Sequence, residues 1–265
     1  MITIAIANQK GGVGKTTTSV NLAAALIKYG RKVLLVDLDP QATATRFLLD
    51  KYGQDGTTIY DVLFQRISLA ECIQRSKAGI PIVPSNFRLA SLDMDLNNEL
   101  NRENRLAMAL EETGGYDYVL VDCPTHLGFA NINAFAAAQK VLIPIECAPE
   151  AWEAVPYLME TLRKIIKQLN HPLRVYALPT FLDRTNIAKD IHEEILKHFE
   201  SYTLSPIAKN VKLKEAFNAR TPVIQYDPTA SGAMDYLRTA KEIISESEET
   251  EVRRNQEGRG NRSRN

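Results

Sequence analysis

At 265 residues the chain is long enough to bury the core of one large α/β domain. Equal numbers of basic and acidic residues, 32 of each, exclude a strong global field, so any nucleic-acid contact must come from a local patch. Cys72, Cys123 and Cys147 fit no zinc or disulfide spacing and point to a reduced cytoplasm, while the N-terminal apolar run is too short for a signal peptide and no stretch approaches the roughly 18 apolar residues of a membrane span.

The first element, Ile2 to Ala7, is short, apolar and β-branched, as a buried parallel strand is. Residues 8–18 then read Asn-Gln-Lys-Gly-Gly-Val-Gly-Lys-Thr-Thr-Thr, and a helix is expected from Thr16 to Tyr29, with Val20, Ala23, Ala24 and Ile27 on one face and Gly30 as its stop. Strand, glycine loop and helix in that order form a phosphate cradle: Gly11, Gly12 and Gly14 let successive N–H groups point into one concavity, and the helix adds its positive end. Within Lys10, Gly11, Gly12, Val13, Gly14, Lys15, Thr16 and Thr17, Lys15 would reach the β- and γ-phosphates, the Thr16 hydroxyl would ligate Mg²⁺, and Thr17 would add a phosphate contact. The general pattern G-x-x-x-x-G-K-[ST] would put its first glycine at Gln9, and a second lysine, Lys10, stands beside that position.

Val33 to Asp37 is the next apolar run, ending in an acid and followed by Leu38-Asp39-Pro40-Gln41; Tyr116 to Asp122 repeats the pattern. Strand ends are where α/β sheets place ligands, and Asp122 at such an end would hold a Mg²⁺ shell through water. Further on, Val141 to Ile145 reads as a strand, Pro149 to Gln168 as a helix, Arg174 to Phe181 as a strand and Ile187 to Phe199 as a helix. Strands separated by such helices specify right-handed crossovers, so the expected fold is α/β: a doubly wound, mostly parallel sheet flanked by helices, the three-layer sandwich of a P-loop NTPase. Trp152, at a helix start, suits either packing or a partner surface. From Ser245 the chain has one apolar residue, Val252, and passes from acidic to arginine-rich. Residues 1–244 therefore read as the nucleotide-binding domain and 245–265 as a disordered polar tail whose arginines would add weak DNA affinity.

The K-G-G-x-G-K-[ST] form of the loop is the deviant Walker A pattern, and with it the chain resembles the ParA/MinD superfamily. The resemblance extends through D-x-D-P-Q at residues 37–41, the Walker B acid Asp122, residues 181–186, 206–216 and 222–228, and ends near residue 244. It implies ATP and Mg²⁺ as cofactors, with Lys10 reaching across a homodimer to the partner's ATP and Asp39 polarising the attacking water. Lys10, Lys15 and Asp39 are then the catalytic set, and Thr16, Asp37 and Asp122 the metal set, Asp37 through a supporting contact.

One departure is Asp122-Cys123-Pro124-Thr125-His126-Leu127-Gly128, where the family commonly has D-x-P-P-S-L-G; Thr125 and His126 fall where a switch loop senses the γ-phosphate. A general-base role for His126 is weighed against the family's habit of polarising water rather than deprotonating it. In Soj-like members, C-terminal basic residues grip DNA phosphates, which selects Lys209, Lys212, Lys214, Arg220 and Arg238 here. The loop starts at residue 8, so no helix-turn-helix precedes it and autorepression is not expected.

Taken together, the resemblance implies a ParA-type ATPase of weak intrinsic activity. It would form an ATP-dependent sandwich dimer, bind DNA nonspecifically, and be cycled by a ParB-like or other adaptor to segregate a plasmid, a chromosome or a large complex, in the cytoplasm and on the nucleoid. The alternatives are a MinD-like membrane-positioning ATPase, against which the tail's lack of an apolar face argues, and a cofactor-assembly member of the superfamily.

Overall fold

Three apolar pentapeptides build the centre of the sheet: β1 (Ile2–Ile6), β2 (Val33–Asp37) and β5 (Tyr118–Asp122). The computed structural model describes residues 1–50 and 56–262, with side chains as far as Glu249. Short strands β3 (Gln74–Arg75) and β4 (Pro81–Val83) extend one edge, and the longer β6 (Lys140–Glu146) and β7 (Arg174–Thr180) the other. The order is β3-β4-β2-β5-β1-β6-β7, parallel throughout except for β3 against β4. This is the doubly wound sheet expected, and β5 sits between β1 and β2 although more than a hundred residues separate it from β1.

Side chains alternate across a strand, so a run that is apolar at every position feeds two cores at once. Ile4 and Ile6, Val33 and Leu35, and Tyr118 and Leu120 share one face with Val20, Leu22, Ala23 and Leu26 of the helix Lys15–Lys28 and with the helix beginning at Ser231. Ala5, Leu34 and Val36, Val119 and Val121 share the other face with Leu106 and Leu110, Ala134 and Phe135, Val155 and Leu158, and Ile195, drawn from four further helices. Those two faces make the three layers.

The periodicity also decides the site. Asp37 falls in phase with Val33 and Leu35, and Asp122 with Tyr118 and Leu120, so both carboxylates emerge on the face covered by the helix Lys15–Lys28. The β2–β5 register then sets Asp37 directly beside Asp122, and β1 sets Ile6 on Asp122's other side.

Two expectations are corrected. The helix expected over residues 149–168 is broken into Pro149–Trp152 and Val155–Leu169, because Pro156 lacks an N–H and fits only a first helical turn. Trp152, just before the break, is half-buried and packs edge-on against His198 with ring centroids 5.7 Å apart. The second correction concerns the tail. The boundary at residue 244 lies inside one helix, Ser231–Arg262, which Ser245 to Glu249 continue. Glu246 accepts hydrogen bonds from Lys140 and, at 2.7 Å, from the Tyr176 hydroxyl, and it pairs with Arg174 at 2.8 Å; Ser247 is buried and 2.9 Å from Lys140 Nζ. Composition misses this anchor because it is polar. The tail arginines lie outside the described side chains, so their expected DNA contribution stays with the sequence. Among the described residues no helix is long and apolar enough to cross a membrane.

Candidate nucleotide-binding site

The loop after β1 turns on glycines that only glycine suits. Gly12 has φ of 80° and Gly14 φ of 93°, in the left-handed region, and Gly14 is the last residue before the helix. A side chain built at Gly11 or Gly12 would meet no atom within 4 Å, so the rim opens outward. Beneath it the loop is tied down: the Asn8 amide donates to the Pro144 carbonyl at 2.8 Å and accepts from the Lys10 N–H at 3.0 Å, while the Thr180 hydroxyl, at the end of β7, donates to the Val13 carbonyl at 3.0 Å. No side chain caps the helix that follows, and its first turn holds no acid, so its positive end faces the cradle.

The two lysines part company here. Lys15 is buried at 8% exposure and its Nζ turns back along the loop to donate to the Lys10 carbonyl at 3.1 Å. Burial pushes its pKa down, against the opposing pull of the Asp122 and Asp39 charges. Lys10 is more accessible: its side chain is about a third exposed, and its Nζ lies 4.0 Å from Glu146, the last residue of β6.

Around the end of β5, Asp122 is fully buried. Its Oδ1 accepts from the Ser19 hydroxyl at 2.8 Å, and its Oδ2 is among the few buried side-chain oxygens with no hydrogen-bond partner. Burial first, and the neighbouring Asp37 charge second, push its pKa up to about 7, opposed by the Thr16 and Ser19 hydroxyls. Asp37 is also fully buried, and burial raises it to about 6. Both of its oxygens are engaged, Oδ2 by the N–H and hydroxyl of Thr45 at 2.8 and 2.7 Å and Oδ1 by the Asp39 N–H at 3.0 Å. Asp37, expected to make a supporting contact near the metal, is thus bonded to the backbone of Asp39. Asp39 is half-buried, and its Oδ1 takes the Gln41 N–H at 2.8 Å.

Thr16 and Thr17 are half-buried in the first turn, and Thr125 and His126 are exposed beyond β5. That exposed loop returns into the fold at Gly128, where the Phe129 N–H donates to Asp93 at 2.8 Å. Sequence reasoning missed Ser19, Thr45, Glu146 and Thr180. Glu146 carries the strand-end acid signal used for Asp37 and Asp122, whereas Ser19 and Thr45 have no signal without the register.

The five basic residues expected at DNA occupy several stretches of surface. Lys209 lies 3.7 Å from Asp183, Lys212 2.8 Å from Glu215, and Arg238 3.5 Å from Asp235; Arg220 donates to the Leu49 carbonyl and lies 3.7 Å from Asp50, and Lys214 is exposed.

No group of three or more His, Cys, Asp or Glu among the described residues is arranged to hold a metal. The orphaned Asp122 Oδ2, the Thr16 hydroxyl and the open glycine rim do fit a magnesium ion whose remaining ligands are phosphate oxygens and water. A parallel sheet with this loop between β1 and its helix defines a P-loop nucleotide-binding protein. Comparison with known proteins narrows the class. The AAA domain family model matches residues 1–175. The sporulation initiation inhibitor protein Soj of Bacillus subtilis is 41% identical over 247 residues, covering 91% of this chain and 98% of Soj, and the chromosome partitioning protein ParA of Caulobacter vibrioides is 36% identical over 249 residues, covering 91% and 93%. Among solved structures, cobyrinic acid a,c-diamide synthase of Mycobacterium smegmatis, with bound ATP analogue and magnesium, superposes with a TM-score of 0.80 at 31% identity over 92% of this chain and 94% of that one. The chain belongs to the ParA/Soj family of partition ATPases.

Proposed function

We propose that this protein is an ATP-driven partition switch: with ATP and Mg²⁺ two copies close face to face, the dimer holds DNA without reading its sequence, and an adaptor of the ParB type triggers hydrolysis and release. The observation that carries the reading is the opposed setting of the two lysines. Lys15 is buried and aimed along its own loop, so it serves the phosphates of its own nucleotide; Lys10 stands at the open rim beside Glu146, so it is placed to serve a nucleotide held by a facing copy.

The residues divide the work. Backbone N–H groups of Gly11 to Thr17 and the helix end receive the phosphates. Thr16 and Asp122 hold the cation, which neutralises phosphate charge when bound. Asp37, bonded to the Asp39 N–H, orients Asp39, whose carboxylate positions the attacking water. Nothing in that set is a strong base, so intrinsic turnover is slow and leaves room for a partner acting on the exposed Thr125–His126 loop. Lys209, Lys212, Lys214, Arg220 and Arg238 meet DNA phosphates. A solvent-facing pair such as Lys209–Asp183 is worth only about 0–1 kcal/mol, so a phosphate can replace the acid. This ATP-bound state places the protein on the nucleoid in a bacterial cytoplasm.

Retention on a nonspecific duplex is the test, with ATP, ADP or no nucleotide. ATP alone should retain the protein, and retention should fall steeply as salt is raised. Equal retention in all three states would sink the mechanism, and ATP-dependent sedimentation with liposomes would favour the membrane alternative.

A further inference from the structure

We propose that Ser19 is a positioning residue for magnesium: by occupying Asp122 Oδ1 it turns Oδ2 toward the cation shell. The inference rests on the reading of the loop as a Mg²⁺–ATP site and adds to it a residue outside the loop pattern.

Ser19 lies four residues after Lys15 and three after Thr16, so on a helix it shares their face and follows the Thr16 hydroxyl toward the end of β5. It has no access to solvent. Its hydroxyl carries one proton and has two acceptors in reach, Asp122 Oδ1 at 2.8 Å and the Lys15 carbonyl at 3.0 Å. A carboxylate is the stronger acceptor and here the nearer one, so the proton goes to Asp122. A serine at this helical position would otherwise bond back to its own helix, a contact with no bearing on the site.

The consequence is read at the other oxygen. Asp122 is the last residue of β5 and is wholly buried, so its carboxylate turns only about its own side-chain bonds, and a donor fixed to Oδ1 sets where Oδ2 points. Oδ2 is left buried with no hydrogen-bond partner, a costly arrangement unless a cation or its water completes it. Asp37, beside Asp122 in the β2–β5 register, is already committed to Thr45 and Asp39 and supplies no donor. Ser19 holds Asp122 Oδ1 at 2.8 Å from outside the loop pattern, beside the Thr16 hydroxyl, and outer-shell partners of this kind typically alter metal affinity about 10–100-fold.

Ser19→Ala removes the hydroxyl and nothing else from a helix interior where alanine is the best former, so the fold is expected to persist. The experiment measures binding of a fluorescent ATP analogue while Mg²⁺ is titrated, with a parallel arm in EDTA. The Mg²⁺ concentration at half-maximal effect should rise about 10-fold in Ser19→Ala, while affinity in EDTA changes less than about 2-fold. Ser19→Thr, which keeps the hydroxyl, should restore the wild-type midpoint if its thermal transition is also unchanged. An unchanged midpoint in Ser19→Ala, or an equal loss in both arms, overturns the proposal, since a packing role would weaken binding with and without the cation. If the wild-type protein itself gains no nucleotide affinity from Mg²⁺, the failure belongs to the reading of the site and not to Ser19.

Discussion

Replacing Glu246 with alanine should destabilise the whole domain, although composition assigns that residue to a disordered tail. Its carboxylate sits where the first residues of β6 and β7 lie side by side, Lys140 in register with Arg174, and takes hydrogen bonds from both and from the Tyr176 hydroxyl. Burial alone would raise its pKa; the bonds from Lys140 and Tyr176 outweigh that and hold it below the ordinary glutamate value. The Lys140 side chain is only 8% exposed and that of Glu246 30%. Removing one partner of a fully buried pair costs about 3–5 kcal/mol, while an exposed pair is worth about 0–1 kcal/mol. With one partner partly wet, and Ser247 remaining beside Lys140, the loss should be about 2–3 kcal/mol. For a domain near this size that lowers Tm by about 4–12 °C. Calorimetry of the full chain, of Glu246→Ala and of the double variant Lys140→Met, Glu246→Leu is the assay. The double variant should recover most of the loss, because well-packed apolar residues often replace a buried pair without penalty. Nucleotide affinity should not move, since the clamp lies at the opposite end of the strands from the glycine loop. A Tm within 2 °C of wild type for Glu246→Ala would refute both the clamp and the assignment of Ser245–Glu249 to the domain.

Lys10→Ala should keep the fold and the binding of ATP to a monomer but abolish the ATP-dependent dimer, measured by light scattering after gel filtration; a variant that still dimerises ends the reading of Lys10. The buried acids predict an unusual pH profile for nucleotide-free protein in EDTA. Asp37 near 6 and Asp122 near 7 stand above their unfolded value of 3.8, so the folded state binds protons that the unfolded state has released. Stability therefore falls as pH rises from about 4 to 7, and Asp122→Asn should flatten that slope. Thermal melts from pH 5 to 7.5 decide it: a Tm that climbs with pH in the wild-type protein would contradict the burial argument.

β1, β2, β5, β6 and β7 are legible because each is a short apolar run and a two-residue period leaves few alternatives, whereas the edge strands β3 and β4 are too short to carry such a run and are not anticipated. Val33–Asp37 was bounded correctly, and the runs ending at Asp122 and starting at Arg174 were misjudged by one or two residues at an end. What sequence order conceals is adjacency. Asp37 and Asp122 become neighbours only because β5 enters between β1 and β2, and neither residue's surroundings announce that. Sequence and resemblance assign Asp39 to the water and Asp37 and Asp122 to the metal, and the register adds their surroundings: both Asp37 oxygens accept from Thr45 and Asp39, Asp122 Oδ2 has no hydrogen-bond partner, and Asp39 stands half-exposed between two backbone contacts. The contacts of Glu246 and Ser247 are hidden for a related reason. Disorder was inferred from a lack of apolar residues, but Glu246 and Ser247 are held by polar partners from strands that begin 106 and 72 residues earlier, a form of burial that hydrophobicity does not register. Composition thus locates the cores of this fold, while long-range polar pairing sets the surroundings of Asp37 and ties Glu246 and Ser247 to the sheet.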